Sequence, residues 1–124
     1  MKNKVKLIPA LLWTILVIWL CLLTKNDLPI NPLFDFEGFD KIVHFVFYSI
    51  MFFLYYFGFG RKYILQIGII CIIVGISIEC LQGYLPINRA FDLWDIVANG
   101  AGFLVSNFLL SFFYRKKGQK NFVN

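Results

Sequence analysis

His44, Glu79, Asp92 and Asp95 are the side chains of this sequence best suited to moving protons. Lys41, Gln82, Arg89 and Asn99 are suited to holding an anion or a polar headgroup beside them. Their spacing is helical. Lys41, His44 and Tyr48 step by three and four residues, and Glu79 and Gln82 by three. Asp92, Asp95, Asn99, Gly102 and Ser106 form a third series with the same steps. On a helix each series lies on one face. Together they offer general acids and bases, with Lys41 and Arg89 to hold a phosphate or carboxylate. An ion held by His44 and the carboxylates would have oxygen-rich ligation. No spacing matches a recognised metal motif, so no metal ligand and no cofactor is assigned.

Each residue also has a plainer reading. Asp40 and Asp92 are placed to cap the helices that follow them. Glu79 is harder to explain structurally. It lies near the carboxyl end of an apolar helix, where the dipole disfavours an anion, so it needs a proton or a cationic partner. Arg89 and His44 are the candidate partners. Asn99 can bond a neighbouring helix, and Lys41 and Arg89 can anchor at the membrane interface. Tyr48, Tyr84 and Trp94 fit an interfacial aromatic belt. Cys21, Cys71 and Cys80 lie in apolar segments without ligand spacing and read as small packing residues; a Cys21–Cys80 disulfide is disfavoured.

The elements that must position these groups are apolar. The chain has 124 residues, 60% hydrophobic and 15% charged, where a soluble domain carries about 25% charged residues. Four apolar runs cover residues 7–23, 42–59, 64–81 and 93–113. A helix needs about 20 residues to cross the hydrocarbon core, and lone strands leave unpaired backbone groups there. The expectation is therefore an all-α, four-helix transmembrane bundle forming one domain over residues 1–124. Without a small-x-small cleavage site after it, the first run is expected to be a retained helix and not a signal peptide.

Lys2, Lys4, Lys6, Arg61, Lys62, Arg115, Lys116, Lys117 and Lys120 fall on one side of such a bundle, against Lys25, Lys41 and Arg89 on the other. The positive-inside rule then places both termini in the cytoplasm. The +5 net charge thus serves orientation, and nucleic acid is not an expected partner. All seven acidic residues map to the outer half. The outer loop, with Pro29, Pro32, Phe34, Phe36 and Phe39, is expected to lie along the membrane surface as a short lid. At about 1.5 Å per residue, His44, Glu79 and Asn99 reach similar depths, about 6–10 Å below their helix ends. They are expected to share a shallow pocket opening outward, with the small-residue stripes of the third and fourth helices facing each other.

Asp40, Lys41, His44 and Phe45 read D-K-x-x-H-F. Glu79, Gln82, Pro86, Arg89, Asp92, Asp95, Asn99 and Gly102 follow as E-x2-Q-x3-P-x2-R-x2-D-x2-D-x3-N-x2-G. In this the sequence resembles the VanZ-like family of bacterial membrane proteins over residues 7–114. The resemblance implies a small multi-helix protein of the bacterial cytoplasmic membrane. It also implies a link to glycopeptide resistance of the teicoplanin type, though not a mechanism.

Two functions compete. In the first, an extracytoplasmic site acts on or binds a cell-envelope lipid or lipid-linked cell-wall precursor. His44, Glu79, Asp92 and Asp95 are then catalytic, and Lys41, Gln82, Arg89 and Asn99 hold the substrate. In the second, the polar cluster only locks the helices together and presents a surface to a partner. Proton-coupled transport fits less well, since four helices make a thin wall and no charge lies in the inner half of any span; a homodimer would change that.

Overall fold

In the computed structural model, residues 5–23 and 37–120 are described, the side chains as far as residue 115. Among the described residues four helices follow one another: α1 (Ile8–Leu22), α2 (Phe39–Phe59), α3 (Ile64–Tyr84) and α4 (Leu93–Lys120). Among the described residues there is no strand. A single 3-10 turn, Arg61–Tyr63, joins α2 to α3. The expected surface loop between the first two helices falls mostly outside the described residues.

Three helical stretches are long and apolar enough to cross a membrane: Phe39–Phe59, Arg61–Tyr84 and Leu93–Arg115. This makes the chain a helical membrane protein. The first element differs from expectation. α1 has 15 residues, or about 22 Å at 1.5 Å per residue, against about 30 Å of hydrocarbon. It nevertheless belongs to the bundle, because Ala10, Val17 and Cys21 are buried at seven- and four-residue spacing. Trp13 Nε1 also donates to the Phe47 carbonyl of α2 at 3.0 Å.

α2 is the central element and packs most extensively on α4. Its buried face carries His44, Tyr48, Met51, Phe52, Tyr55 and Tyr56. Exposed apolar side chains such as Leu65, Phe108 and Val97 lie on the bundle exterior, as lipid-facing positions require. The small-residue stripes of α3 and α4 face each other as the periodicity predicts, and that of α4 also meets α2. Gly102 of α4 lies against the backbone of α2, where an added Cβ would collide with the Phe45 carbonyl oxygen. Gly75 of α3 faces α4, with Asn99 Nδ2 only 2.8 Å from where its Cβ would be. The stripe of α4 thus meets two helices, the closer approach being to α2.

The helix starts correct one further expectation. α2 begins after Gly38, whose φ of +87° gives a left-handed cap with no side-chain bond; glycine takes that conformation without steric cost. Asp40 therefore sits in the first turn and not at the cap. Asp92 does cap α4, its Oδ1 accepting from Trp94 N at 2.8 Å.

Candidate functional site

α2, α3 and α4 deliver their polar faces to one end of the bundle, called the acidic end below. The other end carries Arg61, Lys62 and Arg115. The registers explain the convergence. His44 and Tyr48 are one turn apart on α2, Glu79 is one turn beyond Gly75 on α3, and Asp95 and Asn99 are one turn apart on α4. All six are buried, Glu79 and Tyr48 completely.

Two layers make up the cluster. In the partly exposed outer layer, Lys41 Nζ lies 2.7 Å from Asp40 Oδ2, 2.5 Å from Asp92 Oδ2 and 3.2 Å from Asp95 Oδ1. One ammonium is thus surrounded by three carboxylates. The Lys41 hydrogen bond, with that from Trp94 N, holds the Asp92 carboxyl below its ordinary range. Asp95 reaches inward to the second layer, where its Oδ2 is 3.7 Å from His44 Nε2. The other imidazole nitrogen, Nδ1, is 3.0 Å from Asn99 Oδ1. With that amide oxygen as acceptor, Nδ1 donates, and Nε2 faces Asp95.

Glu79 completes the inner layer. Its Oε2 accepts from the Asp92 backbone N–H at 3.0 Å, so α3 caps the start of α4 through a side chain. Its Oε1 is buried without a hydrogen-bond partner, as are Tyr48 Oη and Asn99 Nδ2. A fully buried carboxylate with one oxygen unsatisfied is costly in a membrane span. Neither expected cation neutralises Glu79: among the described residues it forms no salt bridge.

Arg89 and Gln82 both bond to the carboxyl end of α1. Arg89 Nε donates to the Leu23 carbonyl at 3.0 Å, and Gln82 Nε2 to the Cys21 carbonyl at 2.7 Å. The last carbonyls of a helix have no intrahelical donor. These two side chains supply donors at the carboxyl end of α1, fastening that short helix to α3 and to the α3–α4 connection. Their role here is to position α1, and neither touches the inner layer through a hydrogen bond among the described residues.

Tyr48 is the residue that sequence reasoning placed on the right face but in the wrong setting. It is buried, not part of an interfacial belt, and its hydroxyl lies 3.3 Å from where a Cβ on Gly75 would be. The four-residue step from His44 was the available signal. Tyr84 and Trp94 are exposed, as the belt reading expects. The cysteines are all free; Cys21 and Cys71 pack inside, whereas Cys80 faces outward.

Beside Asn99 and Gly75, with Cys71 and Phe103, lies a cavity of about 20 Å³, room for about one water molecule.

Apolar helices enclosing a buried histidine–carboxylate cluster define a polytopic helical membrane protein with a polar site at one end. More particularly, the chain belongs to the VanZ/LLP1 family, which it matches over residues 2–114. No curated protein and no solved structure matches it.

Proposed function

We propose that this VanZ/LLP1-family protein engages a cell-envelope lipid or lipid-linked cell-wall precursor at the outer face of the bacterial cytoplasmic membrane. In that setting it contributes to glycopeptide resistance of the teicoplanin type or to envelope homeostasis. Both termini are then cytoplasmic, a reading supported by the basic residues gathered away from the cluster. The acidic end lies at the outer rim, where Lys41, Asp40 and Asp92 form the lip facing the headgroups. His44, Glu79 and Asp95 sit beneath that lip as acid, base and polarising groups.

One observation carries this reading. Glu79 is fully buried and leaves one carboxylate oxygen unpartnered beside His44 and Asp95. A purely structural lock gains nothing from an unsatisfied buried charge, because an apolar side chain of similar volume would be at least as stable there. Retaining the carboxylate is explained by use.

The scaffold reading draws support from a different observation. Among the described residues the hydrogen bonds of Gln82 and Arg89 go to the carboxyl end of α1, and the cavity beside Asn99 holds no more than about one water. The two readings separate on purified protein offered labelled membrane lipids and cell-wall precursors. We expect saturable binding or turnover that depends on Glu79, His44 and Asp95. Absence of any such interaction by a folded wild-type protein would leave the scaffold as the surviving account.

A further inference from the structure

The inner layer has the donor set of a metal centre. Among the described residues, His44, Glu79 and Asp95 are all buried and each offers one ligand atom within 4.8 Å of the others. Each comes from a different helix, so packing, not local sequence spacing, assembles the trio. That is why the sequence contains no ligand motif.

A second trio, Asp40, Asp92 and Asp95, also has three carboxylates close together. Its centre is already taken by the Lys41 ammonium, and a cation there would meet that charge. The inner trio has no such occupant. Its carboxylate oxygen Glu79 Oε1 is fully buried and unpartnered, a position that a cation would satisfy.

The charges point the same way. The cluster as a whole holds four carboxylates (Asp40, Asp92, Asp95 and Glu79) and one ammonium, Lys41. With a neutral imidazole, the ionised cluster has an excess of three negative charges; a divalent cation removes two of them. An uncompensated excess at this depth is otherwise relieved only by protonation.

Histidine geometry fits a ligand role as well. Nε2 faces the carboxylates while Nδ1 is bonded to Asn99 Oδ1 at 3.0 Å. Metal-bound imidazoles are oriented in this way, with the second nitrogen donating to a carbonyl or carboxylate. Gly75 makes the arrangement possible, because a larger residue would displace the Asn99 amide.

We propose that His44 Nε2, Glu79 and Asp95 bind one divalent transition-metal ion. A mixed imidazole and carboxylate set suits Zn2+ or Mn2+, with Asn99 positioning the imidazole. The donors must draw together to do so, since a tetrahedral zinc site holds its ligands roughly 3.3 Å apart. The ion would activate or polarise whatever headgroup the site receives, so its purpose rests on the envelope-site reading. Binding itself is read without any substrate, and the two can therefore fail separately.

His44 is the single histidine of the chain, which makes it a direct probe. The full-length protein, purified with a non-histidine tag and labelled with nitrogen-15 at histidine, is titrated with Zn2+ and separately with Co2+. We expect the Nε2 resonance to move with one equivalent of Zn2+, and Co2+ to shift or broaden the ring signals. Elemental analysis after dialysis should find about one ion per chain. Glu79→Gln and Asp95→Asn should each weaken binding at least about tenfold. Asn99→Ala should weaken it about 10–100-fold, while Asn99→Asp, which retains an acceptor, should restore the wild-type Nδ1 signature. The proposal is overturned if the His44 resonances of the folded wild type ignore Zn2+, Mn2+ and Co2+. It is equally overturned if ions bind with unchanged affinity in Glu79→Gln but lose it in Asp92→Asn, which would place them at the outer lip.

Discussion

The two ends of the bundle bury polar groups in opposite ways. Toward the basic end, neutral hydroxyls find neutral partners. Thr14 Oγ1 and Tyr55 Oη share a hydrogen bond at 3.0 Å, and Tyr56 Oη donates to Tyr114 Oη at 3.0 Å. Arg61 covers the Tyr114 ring. Stacked aromatics fill the space between, with Tyr55 parallel to Phe59 and Phe52 on Tyr56. At the acidic end, Tyr48 Oη, Glu79 Oε1 and Asn99 Nδ2 lie buried without hydrogen-bond partners. The basic end is built as a helix junction, its threonine and tyrosine hydroxyls satisfied at low cost. The acidic end accepts electrostatic cost, which is what a site does when its groups are needed for something outside the free chain.

Breaking the acidic end should therefore cost function before it costs stability. Glu79→Gln keeps the shape and the acceptor for Asp92 N, but removes the excess charge. In cells we expect the chain to insert and accumulate normally while its envelope phenotype falls to that of a deletion. The measured stability of the metal-free protein should change by no more than about 1 kcal/mol. Loss of the folded protein on this change would mean the cluster is a lock after all, and that the two ends differ only in chemistry.

Next in size is a change that strikes the packing common to both ends. Gly102→Val places a branched side chain against the Phe45 carbonyl, where α4 and α2 are in backbone contact. Neither backbone can yield without separating the helices. We expect a loss of about 1–3 kcal/mol in unfolding from detergent micelles, as overpacking usually gives. Unchanged stability would show that α2 and α4 do not approach so closely.

The counterpart test at the basic end is Tyr55→Phe. It removes one hydroxyl from a pair and leaves Thr14 Oγ1 its bond to the Ala10 carbonyl at 2.8 Å. The expected cost is about 0.5–1.5 kcal/mol with function intact. A functional defect as large as that of Glu79→Gln would erase the proposed division between the ends.

This division also marks what the sequence made legible. Helical spans could be read because lipid demands long apolar runs, and the faces could be read because three- and four-residue steps are visible without coordinates. His44, Glu79, Asp95 and Asn99 were found in that way. The reading ran out where meaning depends on how separate helices meet. Gln82 and Arg89 look like substrate ligands beside so many acids. Only the position of α1 shows that they bond the Cys21 and Leu23 carbonyls. Tyr48 looks like an interfacial aromatic until α3 and α4 close over it. The apolar run over residues 7–23 hides the shortness of α1, because residues that could extend a span do not have to be helical.

The smallest expected effect concerns the outer lip and depends on pH. The Asp92 carboxyl is lowered from its ordinary value of 3.8 by the Lys41 hydrogen bond and by Trp94 N. A carboxylate lowered in the folded state contributes stability that is fully present above its ordinary value. That contribution is lost as pH falls through the lowered folded value. Asp92 is partly exposed and Lys41 has two other carboxylates, so solvent screens the pair and the contribution is no more than that of a surface ion pair. Melting curves recorded from neutral pH into the acid range should therefore fall slightly more steeply for the wild type than for Asp92→Asn below about pH 4. High salt should narrow the gap, because it screens exposed pairs within a few ångströms. Identical pH profiles for the two proteins would mean that Lys41 is held by Asp40 and Asp95 alone, and that the lip can open without cost to the layer beneath it.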